Sequence, residues 1–379
     1  MRSRTLTLLA TLVLASLTLA GCHDDTADDA RSYAELGFDG ETWPRLDGIT
    51  ITVLHHGDFA AFDDAAARFH ELTGARVEEV AANDAGGAVN RLLLEAGDPT
   101  FDIVYGIDNV LLSRAGGATL PYTPLLAERV PEQYVFFDAE TWPATPVDHG
   151  YVAVNWDPRH AALDNTTLVT LDDVAAHADL FVTQDPRTSS PGLGYLLATI
   201  ATYGETGEFT WKDHWTALFE GGVLVTSGWS EAYENHFSGG YGADIGGQAD
   251  RPIATSYSTS PAYEAYFERP ADRLAEVITA PGSTFHQIQT MAIARGTPHL
   301  AAAQAWIEFI LTDGYQSLIA ANMAVYPVVA DVSTDAVFGD HDPVPGSFEP
   351  ADLDSATIGT ELARWVSDWT DLCEAHDCA

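Results

Sequence analysis

Between residues 49 and 106 the chain changes hydrophobic period again and again, and this alternation restricts its fold more than any other feature. Residues 49–54 are an apolar, β-branched run that reads as a strand. Phe59, Phe62, Ala66, Phe69 and Leu72 then recur at helical spacing, and Gly74 stops that helix. Residues 76–81 give a second strand, the segment around Asn90 to Leu94 a second helix, and residues 102–106 a third strand. Strands and helices in this order make a mostly parallel sheet, and ligands of such sheets gather at the carboxyl ends of the strands. Those ends carry His55 and His56, Asn83 and Asp84, and Ile107, Asp108 and Asn109. The histidine pair invites a metal reading, but adjacent strand residues point to opposite faces, so at most one reaches a cleft.

At 379 residues the chain is longer than one core usually organises, and two lobes are expected. Residues 150–156 read as a long strand leaving the first lobe. Residues 170–174 start a helix with a threonine or aspartate cap, and residues 180–182 form a strand that leads into residues 184–194. There Ser189 or Ser190 falls at a helix N-cap with Pro191 at the first helical position, and glycines follow. Such a helix start is a cradle for an anion or polar ligand, with glycines that let it come close; an ordinary capped helix explains the stretch equally well. Arg187, beside Asp185 and Pro186, reads as an internal ion-pair partner or a holder of backbone rather than a ligand contact. Residues 223–227 make a strand that opens into a turn presenting Trp229 after Gly228. Residues 253–257 make another, running into Tyr257, Ser258, Thr259, Ser260 and Pro261 at a helix start. A further strand spans residues 285–294, one or two helices span residues 297–318, and a last helix surrounds Leu362 to Trp369.

The N-terminus predicts export. Arg2 and Arg4 precede the apolar run of residues 6–19, and Leu19-Ala20-Gly21-Cys22 follows; this run is too short and wrongly flanked for a spanning helix. The ending resembles a bacterial lipobox, in which Cys22 is lipidated and becomes the mature N-terminus. Loss of Arg2 and Arg4 leaves 15 basic against 56 acidic residues, formally −41, a surface that repels nucleic acid and anionic lipid. Outside the cytoplasm Cys373 and Cys378 are expected to pair as a local disulfide. His376 between them leaves a metal site with an incomplete ligand set.

The candidate loops offer a carboxylate at Asp84, hydroxyls at Ser189 and Ser190, an indole at Trp229 and a phenol with hydroxyls at Tyr257 to Ser260. A flat cationic heteroaromatic ligand suits that set through stacking and cation–π attraction, and a phosphate on it suits the helix starts. Four blocks in order, Gly106-Ile107-Asp108-Asn109, residues 184–194, residues 228–233 and residues 256–263, resemble the thiamine-binding subunit of bacterial ABC importers. The similarity runs from about Ile49 to Val328.

The resemblance implies an α/β, type II periplasmic-binding-protein-like fold: two lobes with a ligand cleft between them. It implies a receptor without catalysis or cofactor, binding thiamine or thiamine phosphates and delivering them to an ABC permease and its ATPase. The protein would be a monomer, held to the outer face of the membrane or in the periplasm through Cys22. The ligand-binding residues implied are Asp84, Ala85, Ser189, Ser190, Trp229, Tyr257, Ser258, Thr259 and Ser260, with His56 and Asp108 facing the cleft. Ala85 stands where the family often has glycine, His56 where an aromatic is expected and Ala324 where a tryptophan is expected. The expected divisions are a leader over residues 1–21, an acidic tether over 22–47, lobe 1 over 48–150, lobe 2 over 151–255, a return to lobe 1 over 256–310 and a helical segment over 311–379.

Simpler readings exist for single residues: Asp84 as a helix cap, Trp229 as core. Alternatives for the whole are an iron(III) or polyamine receptor on the same fold, or an exported phosphate-ester hydrolase. No tyrosine adjoins Tyr257 to make an iron site, and no Gly-x-Ser-x-Gly or His-Glu-x-x-His motif supports a hydrolase.

Overall fold

The computed structural model describes residues 31–56, 59–82, 85–342 and 348–378; the leader, Cys22 and Asp84 lie outside these described residues. The expected alternation opens the fold with β1 (Thr50–His56), α1 (Phe62–Thr73), β2 (Arg76–Ala82), α2 (Ala85–Leu94) and β3 (Ile103–Asp108). Helix α1 ends where Gly74 takes φ +80° and its N–H returns to the His70 carbonyl, a left-handed cap that favours glycine. Strand β1 pairs in parallel with β2 and β3, so His56, Ala82 and Asp108 finish along one edge.

The chain continues through α3 (Leu112–Ala115) and β4 (Thr119–Leu120) into β5 (Thr145–Trp156). The second lobe holds α4 (Leu171–Ala175), β6 (Phe181–Gln184), α5 (Ser190–Tyr203), α6 (Trp211–Gly221), β7 (Leu224–Thr226), β8 (Ile253–Tyr257), α7 (Ser260–Tyr266) and β9 (Glu276–Val277). Then β10 (Phe285–Ala294) leads back to α8 (Leu300–Phe309), α9 (Asp313–Gln316), α10 (Ile319–Met323) and β11 (Tyr326–Pro327), and α11 (Ser355–Ala375) ends the chain.

One continuous sheet of order β2-β1-β3-β10-β5-β8-β6-β7 runs through both lobes. Strand β5 is longer than its sequence suggests because it serves both. Thr145 to Val152 pairs antiparallel with β10, and Val152 to Trp156 pairs antiparallel with β8. All twelve of its residues are buried. Two further segments make the same crossing side by side: the Gly282 N–H donates to the Glu349 carbonyl at 2.8 Å, and the Ala351 N–H to the Thr284 carbonyl at 2.7 Å.

Each lobe has its own aromatic core. Phe69, Trp306, Phe309 and Tyr315 centre the first; Trp211, Trp215, Trp365 and Trp369 centre the second. Each such side chain removes about 200 Å² from water, roughly 5 kcal/mol of transfer free energy, so each lobe has a core of its own to hold its shape.

Three expected divisions shift. Residues 33–47 are not tether: the Tyr33 N–H donates to Gln304 Oε1 at 2.8 Å, its hydroxyl to the Pro44 carbonyl at 2.9 Å, and Phe38 and Leu46 are buried beside it in the first-lobe core. The acidic composition hid a few spaced apolar anchors. The second lobe extends beyond residue 255, since Ala275 and Ile278 pack in its clusters, and the return is made by β10. The helical tail is divided, with Tyr315, Leu318 and Ile319 in the first-lobe core and α11 in the second.

Candidate functional site

Strands β7, β6 and β8 are parallel neighbours, so their carboxyl ends at Thr226, Gln184 and Tyr257 lie abreast. The loop after β6 is tied to the loop after β7: the Asp185 N–H donates to the Thr226 carbonyl at 2.9 Å, and Thr188 Oγ1 to the Ser227 carbonyl at 2.7 Å. Arg187 grips Asp185 at 2.6 Å as expected and lies 5.8 Å over the Trp369 ring, which braces the loop against α11.

That loop delivers Ser189 as the extended N-cap of α5, with Pro191 in the first turn and no side-chain cap hydrogen bond. Its glycines have a structural use. A Cβ at Gly192 would stand 2.3 Å from the Gln184 carbonyl oxygen, and one at Gly194 would stand 2.8 Å from Val152 Cγ2. They let α5 press onto β6 and β5, and the close approach they permit is to the chain itself rather than to a ligand.

The loop after β7 presents Trp229, half-buried. Its Nε1–H donates to Ser256 Oγ at 2.9 Å, and Ser256 in turn pairs with Ser260 Oγ at 2.9 Å. One indole face stacks on Tyr233, with centroids 4.9 Å apart and planes at 13°. The Tyr233 hydroxyl donates to Glu264 at 2.7 Å, and Glu264 also accepts from Arg269 at 2.7 Å and from the Tyr241 N–H at 3.0 Å. Burial raises the Glu264 carboxyl pKa, with Arg269 pulling the other way. Trp229, Tyr257 and Ser260 line one cavity of about 970 Å³, and Tyr233, Tyr241, Tyr263 and Phe267 share its second-lobe wall with Glu234, Asp244 and Glu264. Ala60, Asn322, Met323 and Ala324 form its first-lobe side.

Tyr257 is held from across the crossing strands. Its hydroxyl donates to Gln287 Oε1 at 3.0 Å, and Gln287 Nε2 donates to Asp108 Oδ2 at 2.8 Å. Asp108 Oδ1 accepts the Val110 and Leu111 N–H groups at 3.0 and 2.9 Å. Asp108 is buried and both its oxygens are used, so it stands behind the cleft as a support for Tyr257 and not on the cleft wall. Burial, then the Asp108 and Asp148 charges, raises the Tyr257 phenol pKa, so that hydroxyl stays a donor.

Two more expected contacts point elsewhere. Ser258 alternates away from Tyr257: its N–H donates to the Tyr151 carbonyl at 2.9 Å and its side chain lines a separate pocket of about 440 Å³ with Arg159 and His341. Thr259 is buried, and its hydroxyl donates to the Ala324 carbonyl at 2.6 Å, joining α7 to the first lobe. His56 lies half-buried at the end of β1, its ring so close to Gly106 that a Cβ there would stand 1.9 Å from Nδ1. Gly106 has φ +95°, and both facts demand glycine in that block. His55 faces the other way, 3.3 Å from Glu79, as the strand period requires.

Ala85, Ser189 and Ser190 line a neighbouring pocket of about 390 Å³ with Gly86, Thr188 and, from α11, Leu362 and Val366. Two helix starts, α2 from the first lobe and α5 from the second, thus meet at one recess, where the positive ends of the helix dipoles suit an anion. Of the candidate residues, Trp229, Tyr257 and Ser260 therefore line one recess and Ala85, Ser189 and Ser190 another, while Ser258, Thr259 and Asp108 line neither. Sequence reasoning missed Tyr241, Phe267 and Glu264; Tyr233 and Tyr263 lay inside quoted blocks without being singled out. Among the described residues no group of three or more His, Cys, Asp or Glu side chains could hold a metal ion, and no helix is long and apolar enough to cross a membrane. Cys373 and Cys378 are joined, with Cα atoms 5.0 Å apart.

The family profile of bacterial extracellular solute-binding proteins matches residues 55–317. The thiamine-binding periplasmic protein of Escherichia coli (strain K12) is 29% identical over 290 residues, covering 76% of this chain and 82% of its own length. That of Haemophilus influenzae is 30% identical over 298 residues, covering 75% and 79%. Among solved structures a periplasmic thiamin binding protein superposes with TM-score 0.68 at 24% identity, covering 87% of this chain and 98% of that one. Iron-bound HitA from Pseudomonas aeruginosa superposes equally well, TM-score 0.68 at 17% identity, covering 86% and 99%. These likenesses carry the fold, two lobes of type II built on a shared sheet. By the span of its matching profile, the chain belongs to the bacterial extracellular solute-binding protein family.

Proposed function

We propose that the chain is the extracytoplasmic receptor of an ABC importer for thiamine, its phosphate esters or both, exported and tethered to the membrane through a lipid on Cys22. The observation that carries the reading is the chemistry of the 970 Å³ cavity: Trp229, Tyr257 and four further aromatic rings stand among carboxylates, a wall suited to a flat cation. The neighbouring recess supports the phosphate esters, since Ser189, Ser190 and two helix starts offer donors where Ala85 faces them. The likeness to thiamine-binding periplasmic proteins points the same way.

Titration of the purified chain with thiamine, its monophosphate and its diphosphate, followed by tryptophan fluorescence and calorimetry, tests this. Stoichiometric binding without release of inorganic phosphate is expected. Failure of all three to bind would remove the thiamine reading, and phosphate release on incubation would replace the receptor with a hydrolase.

A further inference from the structure

We propose that Gly359 of α11 is a positioning residue for the cleft: it sets how closely the first lobe can approach the Ser189 and Ser190 recess. Helix α11 belongs mechanically to the second lobe. Trp365 and Trp369 lie in that lobe's core, and Arg364 binds Glu205 through two bonds of 2.7 and 2.8 Å. Near its start the same helix meets the other lobe. A Cβ at residue 359 would stand 3.2 Å from Ser113 Cβ and 3.4 Å from Ser113 Oγ, and Ser113 sits on α3 between Leu112 and Ala115, which pack in the first lobe. Gly359 and Ser113 both line the recess that holds Ala85, Ser189 and Ser190.

A glycine inside a 21-residue helix is unfavourable for the helix by itself, so its place has to be explained by the approach it permits. The contact is at the seam, on the side where the two helix starts face each other. Bulk at residue 359 holds α2 and α3 away from α5 and keeps the recess wide. The inference concerns lobe closure and stands whatever solute the cleft takes.

The test needs no ligand. Ala60 and Phe267 line the large cavity from opposite lobes. In the full chain with Cys22→Ser, the pair Ala60→Cys and Phe267→Cys reports closure by its rate of disulfide formation under mild oxidation. Added Gly359→Leu should slow trapping at least tenfold with no fall in Tm, since leucine favours the helix. Gly359→Ala should slow it two- to threefold, and Ser113→Gly in the same chain should restore the original rate. An unchanged rate with Gly359→Leu, or no rescue by Ser113→Gly, would overturn the proposal. So would failure of the parent pair to cross-link, because there would then be no closure to limit.

Discussion

Asp148→Asn should raise stability relative to the parent increasingly as pH climbs from mildly acidic to mildly alkaline, because it removes the one contribution that Asp148 makes in that window. Asp148 sits on β5 with no exposure. Its Oδ2 accepts the Tyr105 hydroxyl at 2.7 Å, and its Oδ1 has no hydrogen-bond partner among the described residues. Burial pushes its carboxyl up to about 7, against a weaker pull from Tyr105. An acid whose folded pKa is raised stabilises fully below its unfolded pKa, here 3.8, and that stabilisation is lost as pH climbs toward the folded value. The unfolded chain releases the proton across this window while the folded chain keeps it. Of this loss, the part falling between pH 5 and pH 8 spans about two pH units, on the order of 3 kcal/mol. Asparagine copies the neutral acid, retains an acceptor for Tyr105 and has no proton to lose. Scanning calorimetry should therefore find Asp148→Asn near or below the parent at pH 5 and several degrees above it at pH 8. Carboxylates such as Glu95, held down to about 2 by Thr100 and Arg91, act at lower pH and cancel in the comparison. A Tm difference that stays constant from pH 5 to pH 8 would refute the assignment of a neutral Asp148.

Two other substitutions separate ligand contact from support. Trp229→Ala should weaken thiamine binding at least tenfold, because a desolvated ring-on-cation contact contributes about 2 kcal/mol or more; calorimetry with unchanged affinity would place the ligand elsewhere. Cys378→Ser opens the loop between Cys373 and Cys378, five positions apart, at a cost of about 2 kcal/mol by chain entropy, and should lower Tm while leaving ligand affinity within twofold.

The alternation that set the first lobe was legible because β1, α1, β2, α2 and β3 are each local, with a period or a stop residue of their own. What the sequence could not show was where each segment is buried. Tyr33 is apolar surface in an acidic stretch, and only Gln304, far along the chain, makes it core. Ser258 and Thr259 look like donors beside Tyr257, yet strand alternation and the Ala324 carbonyl take both away from the cavity. Asp108 offered a carboxylate at a strand end, and the turn that follows consumed it through two N–H groups. Trp229 was readable since a tryptophan after a glycine turn has few ways to be buried. Tyr241 and Phe267 were not readable, because they reach the cavity wall through tertiary contacts, Tyr241 through the Glu264 carboxylate and the Tyr233 ring and Phe267 through the Tyr263 ring.

The cavity wall is unevenly shared, and this leads to a last expectation. Its six aromatic rings, from Trp229 to Phe267, all come from the second lobe, while the first lobe supplies Ala60, Asn322, Met323 and Ala324. A ligand would dock on the second lobe first and meet little stacking surface from the lobe that closes over it. Ala324 is the position from which to change that. It already holds φ +58° at the end of α10, so the penalty for a Cβ in left-handed backbone is present in the parent chain, and a side chain that is not β-branched adds little to it. Its carbonyl continues to accept from Thr259 whatever the side chain. Ala324→Trp should therefore narrow the cavity, give the closing lobe a ring and tighten thiamine binding three- to tenfold, chiefly through slower dissociation. Stopped-flow fluorescence measures this. A variant that folds but binds thiamine no better, or more weakly, would mean that the bound ring does not reach the first-lobe wall at Ala324.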